Sequence, residues 1–336
     1  MLTLEFPAYL QLSISIDHYL AAFFGVLLNV ITVAGLCFKR SAVLGTYRWF
    51  LMAHTVNDLV SAVSVALLGL HIDCTSNTLV IVINGPLSYF SRPVLKAFYN
   101  IFVVGFHLNM ALLAVTFVYR YVQICKKHYL VVLSKMSSKI TIVLVILIPI
   151  ILQNVLVPLA FTYCTDLTVH VGKESWNVVA LLTENKSSTF FYAMCGNFLL
   201  QASVCYGIVF FCCRSIFAYL RNAERALTAK TRKTQRMLTI VLMLQSLTPA
   251  LTSSFLACAL TVGVLIGFDV RWLAWILSAC FVWVPTLNAC ISLAFVAPLR
   301  SMFQRKCMFV TAVSPSKIQS SGSHVDKRLS VFSHHS

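Results

Sequence analysis

Apolar residues dominate the chain in seven long runs, at 19–38, 49–70, 97–119, 140–162, 190–213, 237–264 and 272–297. A helix rises about 1.5 Å per residue, so roughly 20 mostly apolar residues are enough to cross a hydrocarbon core. No water inside a bilayer can satisfy backbone N–H and C=O groups, so each run is predicted as a helix and not as an open strand. A shorter stretch at 79–83 (LVIVI) cannot span and is followed by Gly85-Pro86, so it is read as part of a loop. The predicted fold class is an all-α membrane protein, a seven-transmembrane helix bundle.

Composition and charge sharpen this picture. Of the 336 residues, 59% are hydrophobic and 11% charged, against about 25% charged in soluble domains. So few polar groups cannot cover a water-soluble fold. A basic nucleic-acid binder is thereby excluded despite the net charge of +16. The placement of that charge is the informative part. Segments 39–48, 120–139, 214–236 and 298–336 hold 21 of the 26 Lys and Arg residues. Basic residues accumulate on the cytoplasmic side, which predicts an N-terminus outside and a cytoplasmic C-terminus. Glu5, Asp17, Asp73, Asp166, Glu174, Glu184 and Asp269 lean to the opposite side.

This topology divides the chain into an extracellular N-terminus (1–18), the bundle (19–297), a short amphipathic membrane-surface helix (298–309) and a disordered cytoplasmic tail (310–336). Leu299, Met302 and Phe303 recur at helical spacing, and Cys307 beside them is a candidate for palmitoylation. The first run is followed by Lys39 and Arg40, as in an uncleaved signal anchor. Most of the 12 cysteines lie inside apolar runs, where they behave as small hydrophobes, and none has metal-ligand spacing. Cys74 and Cys164 fall just past spans on the outer side and are a candidate disulfide. The sequon Asn185-Lys186-Ser187 falls on the same side and is a candidate for glycosylation.

No catalytic constellation is visible: there are no paired carboxylates on a helix, no Gly-rich phosphate loop and no HExxH. Asp58 is the one acidic residue deep in a span. An intramembrane charge is costly and by default functional. Asn29 and Asn288 lie at similar depth, so the three form a candidate conformational cluster, with water or a Na⁺ ion between them. The alternative is that Asp58 merely joins helices. Pro149, Pro158, Pro249 and Pro285 interrupt spans; Pro249 and Pro285 are the candidate hinges. The 214–236 loop is strongly basic and is expected to extend its flanking helices beyond the membrane. Much of its charge is explained by topology and attraction to anionic membrane lipids.

The segments Gly45-Thr46-Tyr47-Arg48-Trp49-Phe50-Leu51-Met52, Phe117-Val118-Tyr119-Arg120-Tyr121 and Gln235-Arg236-Met237-Leu238, with Gln245, Pro249, Pro285 and Arg300, resemble the nematode serpentine chemoreceptors of the str and srj type. The resemblance implies a receptor in the plasma membrane, in particular the ciliary membrane of sensory neurons. It also implies a small odorant-like or pheromone-like ligand and a heterotrimeric G protein as partners. Arg120 then matches the arginine of the D/E-R-Y motif of rhodopsin-like receptors. Tyr119 stands where that motif has its acid, so the acid–Arg lock is absent. Asn29, Asp58 and Asn288 match the polar positions of rhodopsin-like helices one, two and seven, with Ala289 in place of the NPxxY proline.

On this reading G-protein coupling falls to Arg120, Tyr119, Tyr121, Arg232, Lys233 and Arg236. The ligand pocket is expected among Tyr99, Phe102, Phe106, His107, Tyr192, Asn197, Gln201 and Phe255, with Trp272 and Trp275 as further candidates or interfacial anchors. With no acid in the outer bundle, a neutral or weakly anionic ligand fits better than a cationic amine. Two rivals stay open: an odorant-gated channel, which would put the N-terminus inside, and a small-solute transporter, which would need midplane charges.

Overall fold

The computed structural model describes residues 4–6, 8–38, 47–74, 79–171, 174–182, 189–222 and 229–296. Five continuous long helices are α1 (Ala8–Phe38), α2 (Tyr47–Leu68), α3 (Arg92–Cys125), α4 (Met136–Ala160) and α5 (Thr189–Asn222). The sixth, α6, runs through Ala229–Pro249, a π-helical turn at Ala250–Ser254 and a final segment Phe255–Ile266. The seventh, α7, runs through Arg271–Cys280, a 3-10 turn at Phe281–Trp283 and a final segment Val284–Phe295. All seven are long and apolar enough to cross a membrane. α4 is the most peripheral and α7 the most enclosed. Val143, Leu144, Val145, Ile148 and Ile151 leave one side of α4 fully apolar and exposed, a surface that suits lipid and not water.

The two broken helices break at the expected prolines. Pro249 has no N–H to give and its ring crowds the preceding turn, and the chain relaxes into the π turn that follows. Ser253 Oγ donates to the Pro249 carbonyl at 2.8 Å and Thr252 Oγ1 to that of Thr248 at 2.8 Å. Pro285 sits in the first turn of the resumed α7, where the missing N–H is not needed. Pro149 and Pro158 lie inside a continuous α4.

α1 begins well before the expected start at 19. Its early turns carry Asp17 and His18, which reduce hydropathy without ending the helix, and each makes one hydrogen bond with α7. Trp283 Nε1 donates to Asp17 Oδ1 at 2.9 Å, and His18 Nε2 pairs with the Ser278 carbonyl at 2.9 Å.

One end of the bundle carries a five-stranded sheet where the sequence reading has only loops. Its strands are β1 (Leu4–Phe6), β2 (Leu70–Cys74), β3 (Leu79–Ile83), β4 (Thr162–Val171) and β5 (Glu174–Leu182), in the order β1-β4-β5-β3-β2. The β1/β4 pair is parallel and the others are antiparallel. The LVIVI stretch is thus β3, with Ile81 opposite Ile72. Gly69 turns the chain from α2 into β2 with φ of 54°. A Cβ there would stand 2.6 Å from the Gly85 nitrogen, so only glycine fits.

Asn185, Cys307, the 298–309 segment and the tail 310–336 lie outside the described residues, as do the side chains of Cys164, Arg232 and Lys233. The Cys164 backbone stands on β4 opposite Ala180, and Cys74 on β2 opposite Leu79.

Candidate functional site: an apolar cavity above a polar cluster

A cavity of about 190 Å³ lies between the sheet and the bundle. β2 and β3 close it with Leu70, Ile72, Leu79 and Ile81. Successive strand residues point to opposite faces, so Leu70 and Ile72 turn to the cavity while His71 and Asp73 turn to α1 and α7. The helical walls are Tyr99, Phe102, Val103, Phe106 and His107 of α3, Gln153 and Val157 of α4, and Phe191, Met194, Cys195 and Phe198 of α5. Leu260, Thr261 and Val264 of α6 and Leu277 and Phe281 of α7 complete it. Aromatic rings and aliphatic side chains dominate. The polar exceptions are His107, Gln153 and Thr261.

Of the expected pocket residues, Tyr99, Phe102, Phe106 and His107 line this cavity. Asn197 and Gln201 stand one layer behind it: Gln201 Oε1 pairs with His107 Nδ1, and Asn197 Nδ2 donates to Gln153 Oε1 at 2.8 Å and to the Pro149 carbonyl at 3.0 Å. Tyr192 and Phe255 are exposed on the outside of the bundle and take no part. Tyr192 neighbours Phe191, which does line the cavity, so one residue along α5 turns a ring by about 100° from wall to lipid face. Phe255 instead stacks on Tyr206, with centroids 5.9 Å apart. Trp272 is exposed as well.

Beyond His71 and Asp73, the junction of sheet and bundle is polar and buried. The His71 and His18 ring centroids are 5.6 Å apart. Burial lowers the His71 pKa to about 4, with the neighbouring His18 adding in the same direction. Asp73 lies 3.4 Å from Arg271 Nε. Burial raises its pKa, opposed by the Arg271 charge and by bonds from the Cys74 N–H and Trp275. Ser278 Oγ accepts the Ile72 N–H at 2.9 Å, which ties the sheet to α7.

Deeper in the bundle, Asp58 is fully enclosed. Asn109 Nδ2 of α3 donates to its Oδ1 at 2.8 Å, and Asn288 Nδ2 of α7 donates to its Oδ2 at 3.1 Å. Asn29 belongs to the same layer but is bonded elsewhere, donating to the Gly25 carbonyl at 2.8 Å and the Pro285 carbonyl at 3.0 Å. Ser292 Oγ donates to the Asn288 carbonyl and accepts from Gln245 Nε2 at 2.7 Å, which brings in α6. The cluster therefore joins α1, α2, α3, α6 and α7. Asn109 and Gln245 had no assigned role in the sequence reading; each lies in a predominantly apolar run.

At the end remote from the sheet, Arg120 is buried in α3 and not displayed on the surface. Its guanidinium carbon lies 4.2 Å from the centre of the Tyr47 ring, and Nη1 donates to Gln235 Oε1 of α6 at 3.1 Å. Nε and Nη2 have no hydrogen-bond partner among the described residues. A desolvated cation over an aromatic face is worth about 2 kcal/mol, so Tyr47 and Gln235 hold the guanidinium where it has no acidic partner among the described residues. Tyr119 packs on Phe50 and Tyr121 against Phe211, both half-buried, and Arg236 is exposed.

Comparison with known proteins decides the family. A family model described as serpentine type 7TM GPCR chemoreceptor Srd matches residues 14–305. The chain belongs to this family of serpentine chemoreceptors. The resemblance to nematode serpentine receptors seen in the motifs thus holds at family level, with Srd as the branch matched. A search of curated proteins gave no match. Among solved structures, the crystal structure of squid rhodopsin superposes with a TM-score of 0.64 at 13% identity, covering 94% of this chain and 90% of that one. At that identity the likeness speaks for the fold alone. The chemoreceptor is therefore a rhodopsin-like seven-helix membrane protein, a receptor and not an enzyme.

Proposed function

We propose that this chemoreceptor binds a small, neutral or weakly anionic odorant-like molecule in the cavity beneath the sheet and signals to a heterotrimeric G protein at the opposite end. The observation that carries the reading is the apolar cavity at the meeting of five helices. An apolar cavity of about 150 Å³ is enough to admit benzene, so about 190 Å³ suits a compact volatile compound. α6 and α7 each contribute to its wall and are each broken at a proline directly below, a geometry that couples occupancy to helix movement. The basic distribution along the sequence supports a sheet end outside and an Arg120 end in the cytoplasm. That orientation suits a receptor of the plasma membrane, and the family resemblance favours the ciliary membrane of sensory neurons.

G-protein engagement needs Arg120 to leave Tyr47 and Gln235 when α6 moves, with Tyr119, Tyr121, Arg232, Lys233 and Arg236 around it. The test is a calcium or cAMP response to an odorant panel in cells expressing the wild type or Arg120→Ala at equal surface level. The response is expected to fall at least tenfold in the variant. A ligand-evoked current that persists with G proteins blocked would overturn the reading.

A further inference from the structure

Two polar side chains of the cavity wall are oriented from behind, and each is left with one unspent hydrogen-bonding atom. Gln201 Nε2 donates to the backbone carbonyl of His107 at 3.3 Å, so its amide oxygen must be the atom facing His107 Nδ1. An amide oxygen only accepts, so Nδ1 carries the hydrogen and Nε2 keeps a lone pair. The ring is held edge-on between Phe106 and Phe198, with centroids at 5.8 and 5.9 Å. The same logic applies one helical turn away on α5. Asn197 Nδ2 serves both the Pro149 carbonyl and Gln153 Oε1. Gln153 therefore presents its oxygen to Asn197, and its Nε2 makes no hydrogen bond among the described residues. His107 and Gln153 are both more than nine-tenths buried and both line the cavity.

From this pair we infer that the receptor recognises an uncharged hydroxyl-bearing ligand, whose O–H donates to His107 Nε2 and whose oxygen accepts from the Gln153 amide, with its apolar body among the surrounding rings. The inference rests on the cavity being the ligand site. An ether or a carbonyl compound can satisfy Gln153 only and leaves the His107 lone pair unmatched. A carboxylate would bring its charge against that lone pair. Leaving a buried polar group unpaired is expensive enough to separate such ligands by about tenfold or more in affinity.

The experiment uses the full-length receptor in nanodiscs and reads the rise in unfolding temperature with benzyl alcohol, benzyl methyl ether, benzaldehyde and benzoate. Benzyl alcohol is expected to half-saturate the shift at a concentration about tenfold lower than any of the other three. Gln201→Leu removes the acceptor that holds the hydrogen on Nδ1, so Nε2 is free to carry it, and the advantage of the alcohol over the ether and the aldehyde is expected to narrow severalfold. Gln153→Leu provides a second variant, expected to weaken benzyl alcohol severalfold and to narrow its advantage over benzoate. Cys195→Phe fills the cavity and is expected to abolish all four shifts. If Cys195→Phe leaves them intact, the cavity is not the binding site. If it abolishes them but the wild type ranks the four probes equally, or Gln201→Leu leaves the advantage of the alcohol unchanged, the cavity stands and the hydroxyl pair is overturned. No shift with any probe also overturns it.

Discussion

The cavity and the Asp58 cluster are neighbours in the same bundle, and α3, α6 and α7 contribute to both, yet they solve opposite problems. The cavity is walled by rings and aliphatic chains around about 190 Å³ of space. The space among Asn29, Asp58, Asn109, Gln245 and Asn288 is about 10 Å³. The amide N–H groups of the cluster donate to Asp58, to Ser292 and to helix carbonyls across five helices, and the Asn29 and Asn288 oxygens lack a partner among the described residues. In the cavity the polar groups are few, and two of them are turned so that a bond is kept for something else. On the proposed reading, the difference separates a region that receives a molecule from one that holds helices in register. Between them lie Pro249, with its π turn, and Pro285, after a 3-10 turn, where the regular ladders of α6 and α7 are already interrupted.

The largest expected effect tests the holding role. Asp58→Ala removes both acceptors and orphans the Asn109 and Asn288 amides, so unfolding in nanodiscs should lose about 3–4 kcal/mol. A loss below about 1 kcal/mol would mean the cluster does not hold the bundle. Asp58→Asn should be milder and should shift the resting signal; unchanged resting signal and ligand response would remove its conformational role.

Acidification tests the junction above the cavity. A histidine whose folded pKa is depressed binds its proton first in the unfolded chain, so its contribution is complete above about 6.5 and is lost as pH falls toward 4. For His71, at about 4, the loss amounts to about 3 kcal/mol at most. Thermal unfolding compared at neutral pH and near pH 4 should show this slope, and His71→Leu should flatten most of it. An identical slope in the variant would assign the sensitivity to other groups.

The smallest expected effect concerns the far end. Tyr47→Leu removes the ring under Arg120 and should cost about 1–2 kcal/mol while raising the resting signal, whereas Tyr47→Phe keeps the face and should do neither. Equal behaviour of the two variants would argue against the stack.

These contrasts also show what was legible in the sequence. The seven spans announce themselves because membrane helices need uninterrupted apolar length, and Asp58 stands out because a carboxyl is so rare there. Depth along the bundle grouped Asn288 with it, and the Asn288 amide donates to Asp58 Oδ2. Asn29 reached the right layer but not the right partner, because depth does not specify which way an amide points. The sheet stayed hidden although Leu70-His71-Ile72-Asp73-Cys74 alternates and LVIVI follows after a short connection. Strand pairing is non-local, and β5 separates β3 from β4 in a way no local pattern reveals. Cavity lining was half visible: α3 faces inward at the expected rings, while Tyr192 and Phe255 look like pocket residues but face outward. In a membrane both faces of a helix are apolar, so periodicity cannot tell a wall from a lipid surface.

The most direct test of the division between receiving and holding is ligand-dependent stabilisation measured side by side in the wild type, Cys195→Phe and Asp58→Asn, all full length and in nanodiscs. Benzyl alcohol should stabilise the wild type and Asp58→Asn at similar concentrations and should not stabilise Cys195→Phe. Stabilisation that survives in Cys195→Phe and vanishes in Asp58→Asn would place the ligand at the polar cluster and contradict the account.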